Sequence, residues 1–155
     1  FITGDFVNRF KELVIRMTNE GHTIANHTYN HKDITKFSKS ELKNELEKLE
    51  KAYYDLTGKN MSPYVRPPEG LFDYQSLSNL KSLGYKTVFW SSACVDWKTN
   101  GQKKVDETKK MFLDNLHPGA IILMHSVSSS NREALASIID EIKALGYTFK
   151  VVSSL

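Results

Sequence analysis

The chain has 155 residues, of which 40% are apolar, 11% aromatic and 25% charged, the mix of a folded domain rather than a disordered or fibrous segment. Its net charge of +3, from 21 basic and 18 acidic residues, is spread along the chain without the basic stripe that a nucleic-acid interface needs. Cys94 is the single cysteine, which excludes an internal disulfide and a thiolate metal cluster, and the longest apolar run, residues 120–124, is too short to cross a bilayer.

In chain order, Phe6, Phe10, Leu13, Val14 and Met17 recur at helical spacing, and Gly21 follows as a stop. Residues 23–26 read as a short strand. Ser38 and Glu41 form a capping box that opens a long helix striped by Leu42, Leu46, Leu49, Tyr53 and Leu56 and ended by Gly58. Tyr64 and Val65 make a strand halted by Pro67 and Pro68, which can neither donate to a ladder nor extend a helix. Leu77, Leu80 and Leu83 mark a short helix before Gly84, and a strand follows over residues 86–90. Val105, Met111, Phe112 and Leu116 predict another helix, which leads through residues 117–119 into a strand over 120–124. Ser130 and Glu133 predict a second capping box, opening a helix with Leu135, Ile138, Ile139, Ile142 and Leu145 inward, and residues 148–152 predict a last strand. Leu-Gly-Tyr stands at two helix-to-strand joints, residues 83–85 and 145–147. The expectation is one α/β domain over residues 1–155 with parallel strands covered by helices, either a barrel or an open sheet.

In such folds chemistry sits just after the carboxyl ends of strands. That rule assigns His22 and His117, which precede strands, to structural joints. His27, His31 and His125 follow strands, as do Arg66, braced by two prolines, and Asp96. His27 and His31 are four apart, a spacing that lets two imidazoles meet one metal ion, although satisfied structural histidines are commoner than ligands. Two histidine ligands plus a third histidine suit metal-assisted hydrolysis, in which a divalent cation acidifies water and a separate histidine protonates a leaving amine. A third ligand and a general base are then required, for which Asp33 and Asp96 are the nearest carboxylates in sequence.

Residues 27–31 (His-Thr-Tyr-Asn-His), 66–70 (Arg-Pro-Pro-Glu-Gly), 95–97 (Val-Asp-Trp) and 122–125 (Ile-Leu-Met-His) occur in the order of the polysaccharide deacetylases of the NodB-homology type, carbohydrate esterase family 4. The chain resembles that family over nearly its whole length. Residues 89–97 and 116–128 are similar to the delta-lactam-biosynthetic branch of spore-forming bacteria, which removes acetyl groups from N-acetylmuramic acid in spore-cortex peptidoglycan. The resemblance implies a distorted (β/α) barrel. It makes His27 and His31 ligands of a divalent metal, usually zinc, with Thr28 at the same site. Arg66 would hold the catalytic carboxylate, and the Glu69 backbone amide would help stabilise the oxyanion. Asp96 would tune His125, the general acid, and Trp97 and Leu123 would wall the pocket for the acetyl methyl group.

Family members begin with a strand ending in a Thr-Phe-Asp-Asp-Gly-like motif that carries the base and the third metal ligand. No such motif stands in this sequence, and residues 1–4 resemble the end of the family's second strand. The expectation is therefore a domain without its first strand and first helix, the larger part of a deacetylase, weak in metal binding and activity by itself. Its open sheet edge would invite self-association. The implied partner is peptidoglycan or a related N-acetylated glycan, met outside the cytoplasm, with no nucleic acid and no membrane span. The alternatives are a non-catalytic carbohydrate-binding fragment, suggested by Tyr29 and Trp97, and a deacetylase of N-acetylglucosamine residues in peptidoglycan or chitin. Because metal binding needs neutral imidazoles, affinity is expected to fall as pH drops through ~6.5.

Overall fold

The computed structural model describes residues 1–152, which divide between one unit over residues 1–89 and another from residue 90 onward. In the first unit, helices α1 (Gly4–Arg9) and α2 (Lys11–Asn19) precede strand β1 (Ala25–Asn26). Helix α3 (Lys39–Thr57), strand β2 (Ser62–Val65), helix α4 (Tyr74–Ser82) and strand β3 (Lys86–Thr87) follow. The strands pair in parallel in the order β1-β2-β3, and Ile2 adds a parallel bridge to Asn26. Register slips between Ala25, opposite Ser62, and Asn26, opposite Val65. The slip spans Pro63, which has no N–H to give the ladder.

Helix α3 is legible from its sequence. The Ser38 side chain accepts the Glu41 N–H while Glu41 returns to the Ser38 N–H, and Gly58 closes the helix at φ 68°. Leu49 and Tyr53 pack with Ile2, Val7, Val14 and Ile24, whereas Leu42 and Leu46 pack with Ile34, Val65 and Leu80. One amphipathic helix thus serves two core clusters.

The expected first helix is two helices. Phe10 leaves helical geometry at φ −121°, ψ 46°. Its N–H still reaches Phe6 O and its carbonyl receives the Val14 N–H, so the break leaves neither group unpaired. Phe10 and Leu13, expected inward, are exposed, and the buried apolar side chains of the two helices are Val7 and Val14. The strand expected over residues 86–90 keeps the β ladder only to Val88, whose N–H donates to Val65 O.

The second unit pairs strand β4 (Ser92–Ala93) in parallel with β5 (Ile122–Leu123), with helices α5 (Val105–Asp114) and α6 (Ser129–Ala144) packed together. Phe112, Ala134, Ile138 and Ile142 form its buried core. The second capping box is corrected here. Ser128, in extended backbone, is the N-cap and accepts the Asn131 N–H, whereas the Ser130 hydroxyl donates to Lys103 O. Two serines two residues apart offered the same signature, and the loop before α5 engaged the second one. The strand expected over residues 148–152 is also absent. Residues 148–151 are exposed on both faces, so no face of the alternating pattern is covered.

Candidate active site

The site residues of the first unit follow β1 and β2. His27 comes directly after β1 and is buried. Its Nδ1–H donates to Arg66 O at 2.6 Å, which leaves the Nε2 lone pair free. The His31 ring stands edge-on to it, with 4.9 Å between ring centroids and planes 80° apart. The turn that joins them is strained, because Thr28 and His31 sit at φ 62° and 52°, left-handed values that glycine would favour. Asn26 braces the turn: its Oδ1 accepts the Thr28 N–H and its Nδ2 donates to Leu46 O. Sequence reading passed over Asn26, although an Asn two residues before a left-handed turn is a known local brace. Thr28 is fully buried, and its Oγ1 has no hydrogen-bond partner among the described residues.

Burial, and after it the Arg66 guanidinium, push the His27 pKa down to about 3. The ring therefore stays neutral through the physiological range, as a metal ligand must. Burial also pulls Arg66 to about 10, which leaves it cationic near neutrality, and its guanidinium lies 4.9 Å from the centroid of the Phe1 ring. Glu69 occupies a tight turn, residues 68–70, at φ 57°, a left-handed geometry held for a residue that is not glycine. Asp33 does not serve as a third ligand. Its Oδ1 accepts from the Thr35 N–H and hydroxyl at 2.9 and 2.8 Å, capping a short helical turn, and those bonds lower its pKa.

A divalent cation fits this pair on two grounds: a free Nε2 on a buried neutral His27, and a second imidazole brought beside it by strained backbone. Among the described residues, no group of three or more His, Cys, Asp or Glu side chains converges to complete such a site.

The site residues of the second unit follow β4 and β5. Asp96 is buried with 7% exposure and accepts three hydrogen bonds. Its Oδ1 takes the His125 Nδ1–H at 2.6 Å, and its Oδ2 takes the His125 backbone N–H at 2.8 Å and the Asn131 Nδ2–H at 2.6 Å. Burial acts to raise the Asp96 pKa, but the bonds from His125 and Asn131 outweigh it and leave the carboxyl below its ordinary value. A carboxylate so engaged is unsuited to be the missing metal ligand. Trp97, half exposed, meets His125 edge-on at 5.8 Å between centroids, and Leu123 is buried on β5 two residues before His125. Burial and the neighbouring Asp96 charge push the Cys94 thiol up to about 11, which makes it a poor nucleophile. His117 Nδ1 faces Pro118 O at 3.0 Å on the surface, and exposed His22 stands 3.9 Å from Glu20, both at joints.

Comparison with known proteins gives concordant results. A sequence model described as Polysaccharide deacetylase matches residues 1–88. The chain is 44% identical over 155 residues to the peptidoglycan-N-acetylmuramic acid deacetylase PdaA of Bacillus subtilis (strain 168), covering 100% of the chain and 59% of that protein. It is 32% identical over 159 residues to a peptidoglycan-N-acetylglucosamine deacetylase of Bacillus cereus, covering 100% of the chain and 56% of that relative. The solved structure of B. subtilis PdaA, a family 4 carbohydrate esterase, superposes with a TM-score of 0.96, covering 100% of this chain and 66% of that one. The chain thus spans less than two thirds of the length of these relatives.

Proposed function

Because this chain belongs to the polysaccharide deacetylase family, we propose that it carries most of the machinery of an enzyme that hydrolyses N-acetyl groups of peptidoglycan, with N-acetylmuramic acid as the sugar. The observation that carries the reading is the Asp96–His125 pair. A buried carboxylate fixes Nδ1 of a histidine whose Nε2 is free to move a proton, beside an exposed tryptophan.

In this reading His27 and His31 hold a divalent metal, zinc. A metal held at such a pair would acidify water, bringing its pKa down towards ~7, and would polarise the acetyl carbonyl. Water adds to the carbonyl carbon, and the C–N bond then breaks. His125 Nε2–H delivers its proton to the departing amine nitrogen, so that acetate and a free amino sugar leave. Asp96 stabilises the imidazolium form and fixes the tautomer. Arg66 positions a carboxylate that acts as base, and the Glu69 backbone N–H donates a hydrogen bond to the oxyanion. Trp97 and Leu123 exclude water around the acetyl methyl group. The choice of muramic acid, with delta-lactam formation in spore cortex, rests on 44% identity to the muramic acid deacetylase against 32% to the glucosamine deacetylase. Such a substrate places the enzyme outside the cytoplasm.

The test is acetate release from purified peptidoglycan and from N-acetylglucosamine oligomers by the full-length zinc-loaded protein. Release from peptidoglycan muramic acid, lost in His125→Ala, is the expected result. Equal release by His125→Ala would overturn the mechanism. Preference for the glucosamine oligomers would overturn the choice of sugar.

A further inference from the structure

We propose that Asn131 is the positioning residue of the Asp96–His125 pair, holding Asp96 by one side-chain N–H and the backbone of His125 by the other. The proposal rests on the deacetylase reading for its catalytic consequence, but its geometry stands within the second unit alone.

Asn131 is the third residue of α6, fixed there because its backbone N–H is accepted by the N-cap Ser128 Oγ at 3.0 Å. Side chains in a first turn lean back towards the helix N-terminus, here towards the end of β5. A capping-box residue at this position would return to the N-cap backbone N–H. Asn131 instead donates Nδ2–H to Asp96 Oδ2 at 2.6 Å and to His125 O at 3.0 Å. One amide group thus ties the carboxylate to the residue it orients.

The chemistry of the residue fits that task closely. Asp96 needs donors, because a buried carboxylate with unmet lone pairs is costly. An aspartate at 131 would set a second negative charge against it, and a leucine would remove the third donor. Asn131 is 5% exposed, and its Oδ1 has no partner among the described residues, a destabilising position for a buried acceptor. A side chain kept only for packing could be apolar here and avoid it. The start of α6 is itself held in place: Gln102 Oε1 accepts from the Ser128 and Ser129 hydroxyls and the Ser130 N–H.

The first experiment is NMR of the wild-type protein. The two Asn131 side-chain amide protons should exchange slowly with solvent, and the one facing Asp96 should resonate downfield of ordinary asparagine amides. Rapid exchange of both would overturn the proposal whatever the enzyme's activity. The second is a comparison of Asn131→Asp and Asn131→Ala in the full-length enzyme. Both should lower kcat by about tenfold to a hundredfold, the range seen when a hydrogen-bonded support of a site residue is removed, with KM within twofold. In folded variants the His125 Nδ1–H signal should broaden or shift. Folded variants with wild-type kcat and an unmoved signal would overturn it. Activity that survives His125→Ala would instead refute the deacetylase mechanism and leave the amide exchange result untouched.

Discussion

Asp96 chelates His125, accepting the ring Nδ1–H on one carboxylate oxygen at 2.6 Å and the backbone N–H on the other at 2.8 Å. Two bonds from one residue fix both where the imidazole is and which tautomer it adopts. Asp96→Asn keeps the shape but can present an N–H where an acceptor is required. The expected result is a fall in kcat of about 10²–10⁴, the usual worth of a positioned acid or base, with zinc binding by titration unchanged. A variant that keeps more than a third of wild-type kcat would contradict this role.

Metal-free protein should lose stability on mild acidification because of His27. Its folded pKa of about 3 lies below the ordinary 6.5, so under pH 6.5 the unfolded chain binds a proton that the folded chain refuses. The loss begins as pH falls through ~6.5, continues to about 3 and amounts to on the order of a few kcal/mol. Asp96, whose pKa is also depressed, contributes in the same sense but only under more acid conditions, as pH falls through the carboxylate range, so pH 4.5 separates the two. Urea unfolding at pH 7.5 and 4.5 should show a shallower pH dependence in His27→Leu than in wild type. Proton competition for a metal at His27 itself is confined to pH values well below ~6.5, because its ring remains neutral there.

Gly4→Ala should disturb the histidine turn from a distance. A Cβ at Gly4 would lie 2.6 Å from the Tyr29 ring and 2.7 Å from Tyr29 O, and the backbone oxygen cannot swing away as a side chain can. That oxygen accepts the Gly4 N–H at 3.0 Å. Overpacking of this kind costs about 1–3 kcal/mol, and zinc affinity should fall with it because Tyr29 lies between His27 and His31. Calorimetry with and without zinc is the check, and an unchanged Tm would count against the close approach.

Ser128→Ala should cost about 1 kcal/mol of stability through loss of the α6 N-cap. Glu133→Ala should be neutral within about 0.5 kcal/mol, because Glu133 is exposed and its ion pair is with the likewise exposed Arg132. Denaturant midpoints distinguish the two, and a larger effect at Glu133 would restore the capping box expected from sequence.

Much of this protein was legible in its sequence because the signals were local. The α3 cap, its apolar stripe, the Gly58 stop and the halt of β2 before Pro67 each depend on residues within a few positions of one another. The ordered motifs around His27, Arg66, Asp96 and His125 carried the resemblance to the family, and their places just after strands were legible because strand ends are where this class of fold displays chemistry. Local signatures failed where two candidates competed or where burial had to decide. Ser130 and Glu133 matched a capping box as well as any pair, but only the tertiary structure sends the Ser130 hydroxyl to Lys103 and gives the cap to Ser128. Alternation over residues 148–152 promised a strand, and no covering face supplied one. Asn131 carried no sequence signal, since its importance lies in meeting Asp96, 35 residues away, and the pKa of His27 likewise arises from burial beside Arg66, 39 residues along. Sequence sets which groups stand at strand ends, because backbone propensity acts locally. Which of them lose water, and which donors and charges they then face, is decided by contacts that exist only once the chain has folded.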